Sequence, residues 1–518
     1  MLTGLNPPPT CSVPDDPAIE RTLSARLAQV LALDPQAVAI EAGEKRFSWD
    51  AIGTAARQVA DLLAAAGIPK GAPVGWFAHN RPSSVASFVA LVLHGWMVVP
   101  LRPRLSASAI EDEIAAQRLC AIVGHDEDWQ SEDVRGAAVA TGSLGIALND
   151  VGRITVATVP ELHQVGTGPH RAAEPGVVLE RLTSGTTGPP KRIPVGEDVL
   201  IPALRAGEQS SSADHDSPLR LKNSPAILLK PFSHAGGLFG LLLALYQARP
   251  MVLIDRFEPA EWAEAVARCK PRSASLVPAM IRMILDAGIG KEKLVSLKAV
   301  RSGTAPLDPT MQQEFESRYG IPILVDYGAA EFIGGIAGWT LDDHRRFGTA
   351  KRGSVGRLRA DVELSLRDPS TGTEAMVGAV GVVHIRGPRF GTAWHRTNDL
   401  AMLDEDGFLF LKGRADDAIN RGGFKVLPDE VAAVLRGFPG VRDAAVVGKP
   451  DARLGEVPVA ALEFVPSASI PDEATLRNFV RAQLAPYMVP TEFRIVAELP
   501  RTASMKVSRP ALKALFDI

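Results

Sequence analysis

Between residues 74 and 325 short apolar runs recur, each too short to be a helix and separated from the next by helical or loop-like sequence. Val74–Ala78, Ile122–Gly124, Ile227–Leu229, Met251–Ile254, Ala274–Val277, Ala299–Ser302 and Ile323–Val325 are such runs. A strand that is apolar on both faces must be buried on both, so the pattern predicts an α/β architecture of parallel sheets covered by helices. Ser48–Ala66 carries the helical period, and Val85–Leu101 reads as a buried helix (Val85–His94) running into a strand (Trp96–Leu101). From Asp361 the texture changes to strand and turn. DVELSLRD, GVVHIRGP and AMLDEDGFLFLKG follow one another, the last with Asp406-Gly407 between two apolar arms, a hairpin signal. A small antiparallel, β-barrel-like subdomain is expected there. After Gly413 comes a small α+β unit: helix Asp429–Arg436, strands Arg442–Gly448 and Val457–Phe464, helix Asp472–Leu484 and a Lys-bearing final loop. Polar Ala206–Lys222 reads as a surface loop.

A chain of 518 residues exceeds what one hydrophobic core supports. The expected division is a loose Pro-rich segment 1–17, a large domain 18–412 and a C-terminal domain 413–518. Net charge is −3 with both signs interspersed, and aromatic residues make up 6%, which leaves no basic face or stacking platform for nucleic acid. Cys11, Cys120 and Cys269 are far apart and odd in number, neither a disulfide framework nor a zinc site. The opening residues lack a basic stretch followed by an apolar one. The longest apolar runs are broken by His94 or by glycines, too short for a transmembrane span. A soluble, cytoplasmic protein is expected.

The most informative string is Leu182–Lys191, LTSGTTGPPK. Glycines let successive amides face one concavity and cradle phosphate oxygens. Thr183, Ser184, Thr186 and Thr187 add hydroxyl donors, Gly185 and Gly188 the turns, and Lys191 a point charge. The spacing is not that of the Walker A loop, because the glycines sit three apart and Arg192 follows the lysine.

This string resembles the phosphate loop of the acyl-adenylate-forming superfamily: acyl-CoA synthetases, adenylation domains of peptide synthetases and firefly-type luciferases. Five further motifs similar to that family's follow in its order. PFSHAGGL (Pro231–Leu238) places His234 at the mouth of an acyl pocket; a satisfied core histidine is the plainer alternative. It contains no Asp to pair with an α-amino group, which argues against amino acids. SGTAPL (Ser302–Leu307) implies a backbone, Gly303, Thr304 and Ala305, beside the adenine. DYGAAE (Asp326–Glu331) implies Asp326 and Tyr327 at the nucleotide, Gly328 at the acyl group and Glu331, with Thr186, as oxygen ligands of Mg²⁺. Ala330 stands where the family has Thr, which removes a hydroxyl from the α-phosphate. RTNDL and GRADD imply Asp399 on the ribose hydroxyls, Arg414 on ribose or phosphate, and Asp416 as the hinge about which the small domain rotates. Asn398 replaces the usual Gly. In PRTASMKVSR, Lys506 matches the lysine that bridges the acyl carboxylate and the α-phosphate, and Met505 replaces a Gly.

The resemblance implies ATP-dependent activation of a carboxylic acid as an acyl-adenylate, followed by transfer to coenzyme A, with Mg²⁺ required. Lys506, Glu331, Thr186 and His234 would be catalytic. Phe232, His234, Gly236, Leu238, Gly303, Gly328 and Gly334 would line the acyl pocket, small or apolar residues that favour a hydrophobic acid. Gly422, Gly423 and Lys425 would meet coenzyme A, although Gly422-Gly423 reads equally as a plain turn. An acyl carrier protein as acceptor, a luciferase-like oxygenase, an inactive nucleotide-binding relative and a homodimer stay open.

Overall fold

The computed structural model describes residues 22–103, 105–183, 191–211, 218–328, 332–502 and 505–518. Three sheets rich in parallel strands occupy the chain up to Leu358. The largest has seven strands in the order Thr155–Thr158, Leu144–Asn149, Ala121–His125, Pro73–Phe77, Met97–Leu101, Val177–Thr183, Lys191–Gly196, parallel throughout except at its two edges. A four-stranded sheet runs Ala226–Leu228, Met251–Leu253, Val38–Ala42, Lys45–Ser48. In a five-stranded sheet Ser273–Leu276, Ala299–Ser302 and Ile323–Tyr327 are parallel and the short strands Ala337–Gly338 and Arg357–Leu358 are antiparallel.

The predicted buried strands recur here within a residue or two, because their side chains have core on both sides. Helix Trp49–Ala65 starts where Ser48 accepts a hydrogen bond from the Ala51 amide at 3.2 Å. Helix Pro82–His94 is buried from Pro82 to Val92, which explains an apolar run with no polar face. The surface-loop expectation for Ala206–Lys222 fails at its start. Helix Glu197–Ser211 continues through Ala206, because its apolar face, with Leu200, Ala203 and Leu204 buried, holds the helix on the core past the point where polar residues begin.

Glu363–Arg367, Val380–Gly387, Gly391–Leu403 and Leu409–Arg414 form a four-stranded antiparallel sheet in the region expected to be barrel-like. The last two strands make the hairpin at Asp406-Gly407, where Asp404 accepts from the Asp406 and Phe408 amides.

The final sheet pairs Ile419–Arg421, Phe424–Val426, Gly455–Phe464 and Val441–Asp451, with Glu492–Val496 parallel to Gly455–Phe464. Its alternation is strict. Ala444, Val446, Ala460 and Leu462 pack on one side with helices Pro428–Arg436 and Glu473–Arg481. Ala445, Val447, Val459 and Ala461 pack on the other with Leu499, Leu512 and Phe516. The closing helix Arg509–Ala514 covers the second face and strand Glu492–Val496 extends the sheet; both are absent from the sequence reading. No helix among the described residues is long and apolar enough to cross a membrane.

Candidate active site

A cavity of about 2150 Å³ opens at the carboxyl ends of the parallel strands Ala299–Ser302 and Ile323–Tyr327. Ligand sites gather there because strand ends release loops at one edge of the sheet. Of the predicted residues, His234, Gly236, Gly303, Thr304, Asp326, Tyr327, Gly328, Gly334, Arg414 and Lys506 all line it. Residues more than 270 positions apart in sequence therefore share one space.

Gly303 is required by packing: a Cβ on it would stand 2.7 Å from the Asp326 carbonyl oxygen of the neighbouring strand. Thr304 beside it has φ +72°, and Met505 next to Lys506 has φ +63°. Two residues with side chains hold left-handed backbone at the cavity wall, a strain of the kind that the surrounding fold must impose.

Tyr327 donates its hydroxyl to Asp399 Oδ2 at 2.5 Å, and Arg414 sits opposite Asp399 in strand register with Nη1 3.4 Å from Oδ1. Arg414 also grips Asp416, Nε to Oδ1 at 2.9 Å and Nη2 to Oδ2 at 2.8 Å, while Asn398 donates to the same carboxylate at 3.0 Å. Burial pushes the Asp416 pKa up, but these bonds bring it below the usual carboxylate range. Asp326 takes Arg359 at 2.7 Å and Arg301 at 3.0 Å, so its carboxylate braces the sheet end.

The opposite wall is cationic. Lys506 is carried on a turn closed by the Thr502 amide on the Lys506 carbonyl (2.7 Å) and the Met505 amide on the Thr502 carbonyl (2.8 Å). Burial lowers its pKa, Arg414 lowers it further and Asp399 opposes both. His234, at the N-terminus of helix Ala235–Tyr246, is held toward neutrality by burial and by Lys506 and Arg102. Sequence reasoning missed Lys230. Its pKa is pushed down to about 8, chiefly by burial, with Asp326 opposing and Lys506 adding to the fall. The available signal was a lysine directly after the buried run Ile227–Leu229.

Cations that depress one another's protonation in a half-desolvated cavity favour a polyanion between them. Residues 27–393 match the AMP-binding enzyme family and residues 430–506 its C-terminal domain. The chain belongs to the AMP-binding enzyme family. It is a member of the acyl-adenylate-forming superfamily, that of the AMP-dependent acyl-CoA synthetases and ligases, which its ordered motifs resemble. This AMP-binding enzyme is 30% identical to the 2-succinylbenzoate–CoA ligase of Geobacillus kaustophilus, over 96% of this chain and 98% of that protein. It shares its fold with ATP-bound MatB from Rhodopseudomonas palustris, with a TM-score of 0.82 at 24% identity over 96% of this chain and 99% of the other. The apo form of the same protein gives 0.70 at the same identity and coverage.

Not every predicted residue reaches the cavity of the AMP-binding enzyme. Phe232 and Leu238 belong to the hydrophobic core, Phe232 stacked on Trp76 at 6.3 Å. An apolar side chain at the start of a helix follows the larger apolar surface, and here that surface is the core. Ala305, Asp399 and Asp416 are not among the lining residues, although Asp399 bonds Tyr327 and Arg414 and Asp416 bonds Arg414, which are. Gly422 (φ +58°) and Gly423 (φ +88°) form the turn of hairpin Ile419–Arg421/Phe424–Val426, away from the cavity along with Lys425. The backbones of Thr183 and Lys191 end and begin paired strands. Ser184, Gly185, Thr186, Thr187, Gly188, Ala330 and Glu331 lie outside the described residues.

Proposed function

We propose that this enzyme uses ATP to convert a carboxylic acid to its acyl-adenylate, releasing pyrophosphate, and then transfers the acyl group to coenzyme A. The observation that carries this reading is the convergence of Lys506, His234, Arg414 and the Tyr327–Asp399 pair on one cavity. A carboxylate oxygen attacks the α-phosphorus, the bond to pyrophosphate breaks, and AMP becomes the leaving group that oxide cannot be. The protein's work is positioning and charge neutralisation.

Lys506 meets the oxygens on which charge accumulates; burial and Arg414 hold its pKa below the usual lysine value, and a bound anion favours its charged form. Asp399 accepts from the ribose hydroxyls with Tyr327 and Arg414 fixing its carboxylate. Thr183–Lys191 cradles the phosphates, and His234 presents a neutral imidazole at the mouth of the acyl pocket. Phe239, Leu243, Val277 and Met280 give the cavity its apolar lining, suited to the body of a hydrophobic acid. The greater likeness to ATP-bound than to apo MatB supports reading this arrangement as the one for the first half-reaction. In the second, residues 413–518 turn about Asp416 and bring Gly422, Gly423 and Lys425 to the thiol's path.

Glu331 and Thr186 offer hard oxygen donors, which is what Mg²⁺ takes. Glu331→Gln should lose Mg²⁺-dependent turnover, and a wild-type rate would remove Glu331 from the metal site. The decisive assay follows AMP and pyrophosphate with ATP, coenzyme A or a pantetheinyl carrier protein, and a panel of acids. The absence of acid-dependent AMP across the panel would end the reading; AMP with the carrier alone would replace coenzyme A as acceptor.

A further inference from the structure

We propose that Lys230 makes this enzyme select acids bearing a second anionic group, a carboxylate remote from the one that is activated. The inference rests on the reading of the cavity as an acyl-adenylate site.

Lys230 is held in place from behind. Asn80 donates to its carbonyl at 3.1 Å and accepts from the Phe232 amide at 3.1 Å, so the backbone on either side of Pro231 is fixed to the buried turn after strand Pro73–Phe77. The side chain then runs along the first turn of helix Ala235–Tyr246. Its Cδ lies 3.8 Å from where a Cβ on Gly236 would stand, which puts the stem beside Gly236 on the cavity wall. Leucine or methionine would serve such a path if packing were the only demand.

The ammonium has three donors, and Ser275 Oγ accepts one of them at 2.8 Å. The carboxylate that acts on it through space is Asp326, whose oxygens already take Arg301 and Arg359. The cavity that Lys230 enters is lined by the apolar Val277 and Met280 as well as by Arg301 and Asp326. A desolvated ammonium bonded to a hydroxyl, with the nearby Asp326 carboxylate already shared by two arginines, is costly, and the cost is offset when an anion binds there. The depressed pKa agrees with that surplus of positive charge.

Position separates this anion from the reacting one. Ser275 belongs to strand Ser273–Leu276, two strands from Ile323–Tyr327, whose Tyr327 meets Asp399. Strands lie about 4.8 Å apart, so the Ser275 anchor is roughly 10 Å across the sheet from the Tyr327 side. Lys506 approaches from the Asp399 and Arg414 side and is near enough to Lys230 to depress its protonation, so the two ammoniums face one another across the cavity. The second carboxylate is therefore joined to the first through an apolar body that spans the cavity, of alkyl or aryl character.

The test is acid-dependent pyrophosphate exchange with matched pairs: dicarboxylic acids of graded length and aryl content, each beside its monomethyl ester. Wild-type enzyme should favour at least one diacid over its ester by about tenfold or more in kcat/KM, the scale of a hydrogen-bonded charge pair. In Lys230→Met that preference should fall by about tenfold, mainly through KM, and Lys230→Arg should keep part of it. Equal activity of wild-type enzyme on diacids and esters would overturn the proposal and leave acyl-adenylate formation standing. Equal loss on both members of each pair in Lys230→Met would also overturn it, by putting Lys230 on the activated carboxylate or a phosphate. If no acid at all supports exchange, the underlying reading fails and this one with it. The wild-type comparison stands even if a variant does not fold.

Discussion

Two lysines enter the same cavity from different parts of the chain, and the backbone beneath them is built in different ways. Lys230 is fixed by long-range contacts: Asn80 from 150 residues earlier holds its carbonyl and Ser275 holds its ammonium. Lys506 is fixed by local ones, the turn bonds among Thr502, Met505 and its own carbonyl, on a loop tethered to the C-terminal sheet through Leu499, Leu512 and Phe516. The first arrangement suits a group that must stay where it is while ligands come and go. The second suits a group that moves as a unit with its lobe. On the proposals above, specificity falls to the fixed wall and chemistry to the carried loop.

The largest expected effect tests the carried loop. Lys506→Ala should lower acid-dependent pyrophosphate exchange by about 10²–10³-fold while sparing thioester formation from preformed adenylate. Equal loss in both half-reactions would mean that the lysine is a structural part of the cavity. The fixed wall is sharpened by stability. In the folded chain Lys230 loses its proton near pH 8, whereas in the unfolded chain it does so near pH 10.5. The unfolded state therefore binds more protons between those values, and wild-type stability gains as pH rises through that window. Lys230→Met should stabilise the enzyme at pH 7 by about 1–3 kcal/mol, since one pKa unit is worth about 1.4 kcal/mol. The advantage should shrink toward pH 10.5; a variant less stable at pH 7 in denaturant titrations would mean that its bond to Ser275 outweighs the burial of its charge.

A smaller effect separates the ribose side from both lysines. Tyr327→Phe removes the donor to Asp399 and should raise KM for ATP about five- to tenfold with kcat little changed. An unaltered KM in steady-state kinetics would detach Asp399 from nucleotide binding. The smallest concerns Met505. Relief of its left-handed backbone (φ +63°) is worth on the order of 1 kcal/mol, and glycine gives back a similar amount in unfolded-state entropy. Met505→Gly should leave the unfolding midpoint almost unmoved. A loss above about 2 kcal/mol would show that the Met side chain, packed against the second core, shapes the loop.

How much was legible follows from where information is stored. The buried strands were readable because burial on both faces leaves a run of apolar residues with no ambiguity of phase. The extent of helix Glu197–Ser211 was not, since its polar end is held by packing that begins a turn earlier. The ordered motifs singled out Asp399, Arg414 and Lys506, and the structure lines one cavity with Arg414 and Lys506 and bonds Asp399 to Arg414 and Tyr327. Phe232 and Leu238 were misplaced because an apolar residue in or just before a helix start carries no mark of whether it faces ligand or core.

What the sequence determined by itself was the fold class, the family and the residue types available for nucleotide chemistry. These depend on periodicity and on short strings whose parts are neighbours along the chain. What only the tertiary structure decided was the charge inventory of the cavity. That Lys230 is desolvated, that Asp326 is already shared by two arginines, and that Tyr327 braces Asp399 are facts about burial and distance between segments far apart in sequence. A lysine in a string is simply a cation. Its cost, and so its use, is set by what surrounds it.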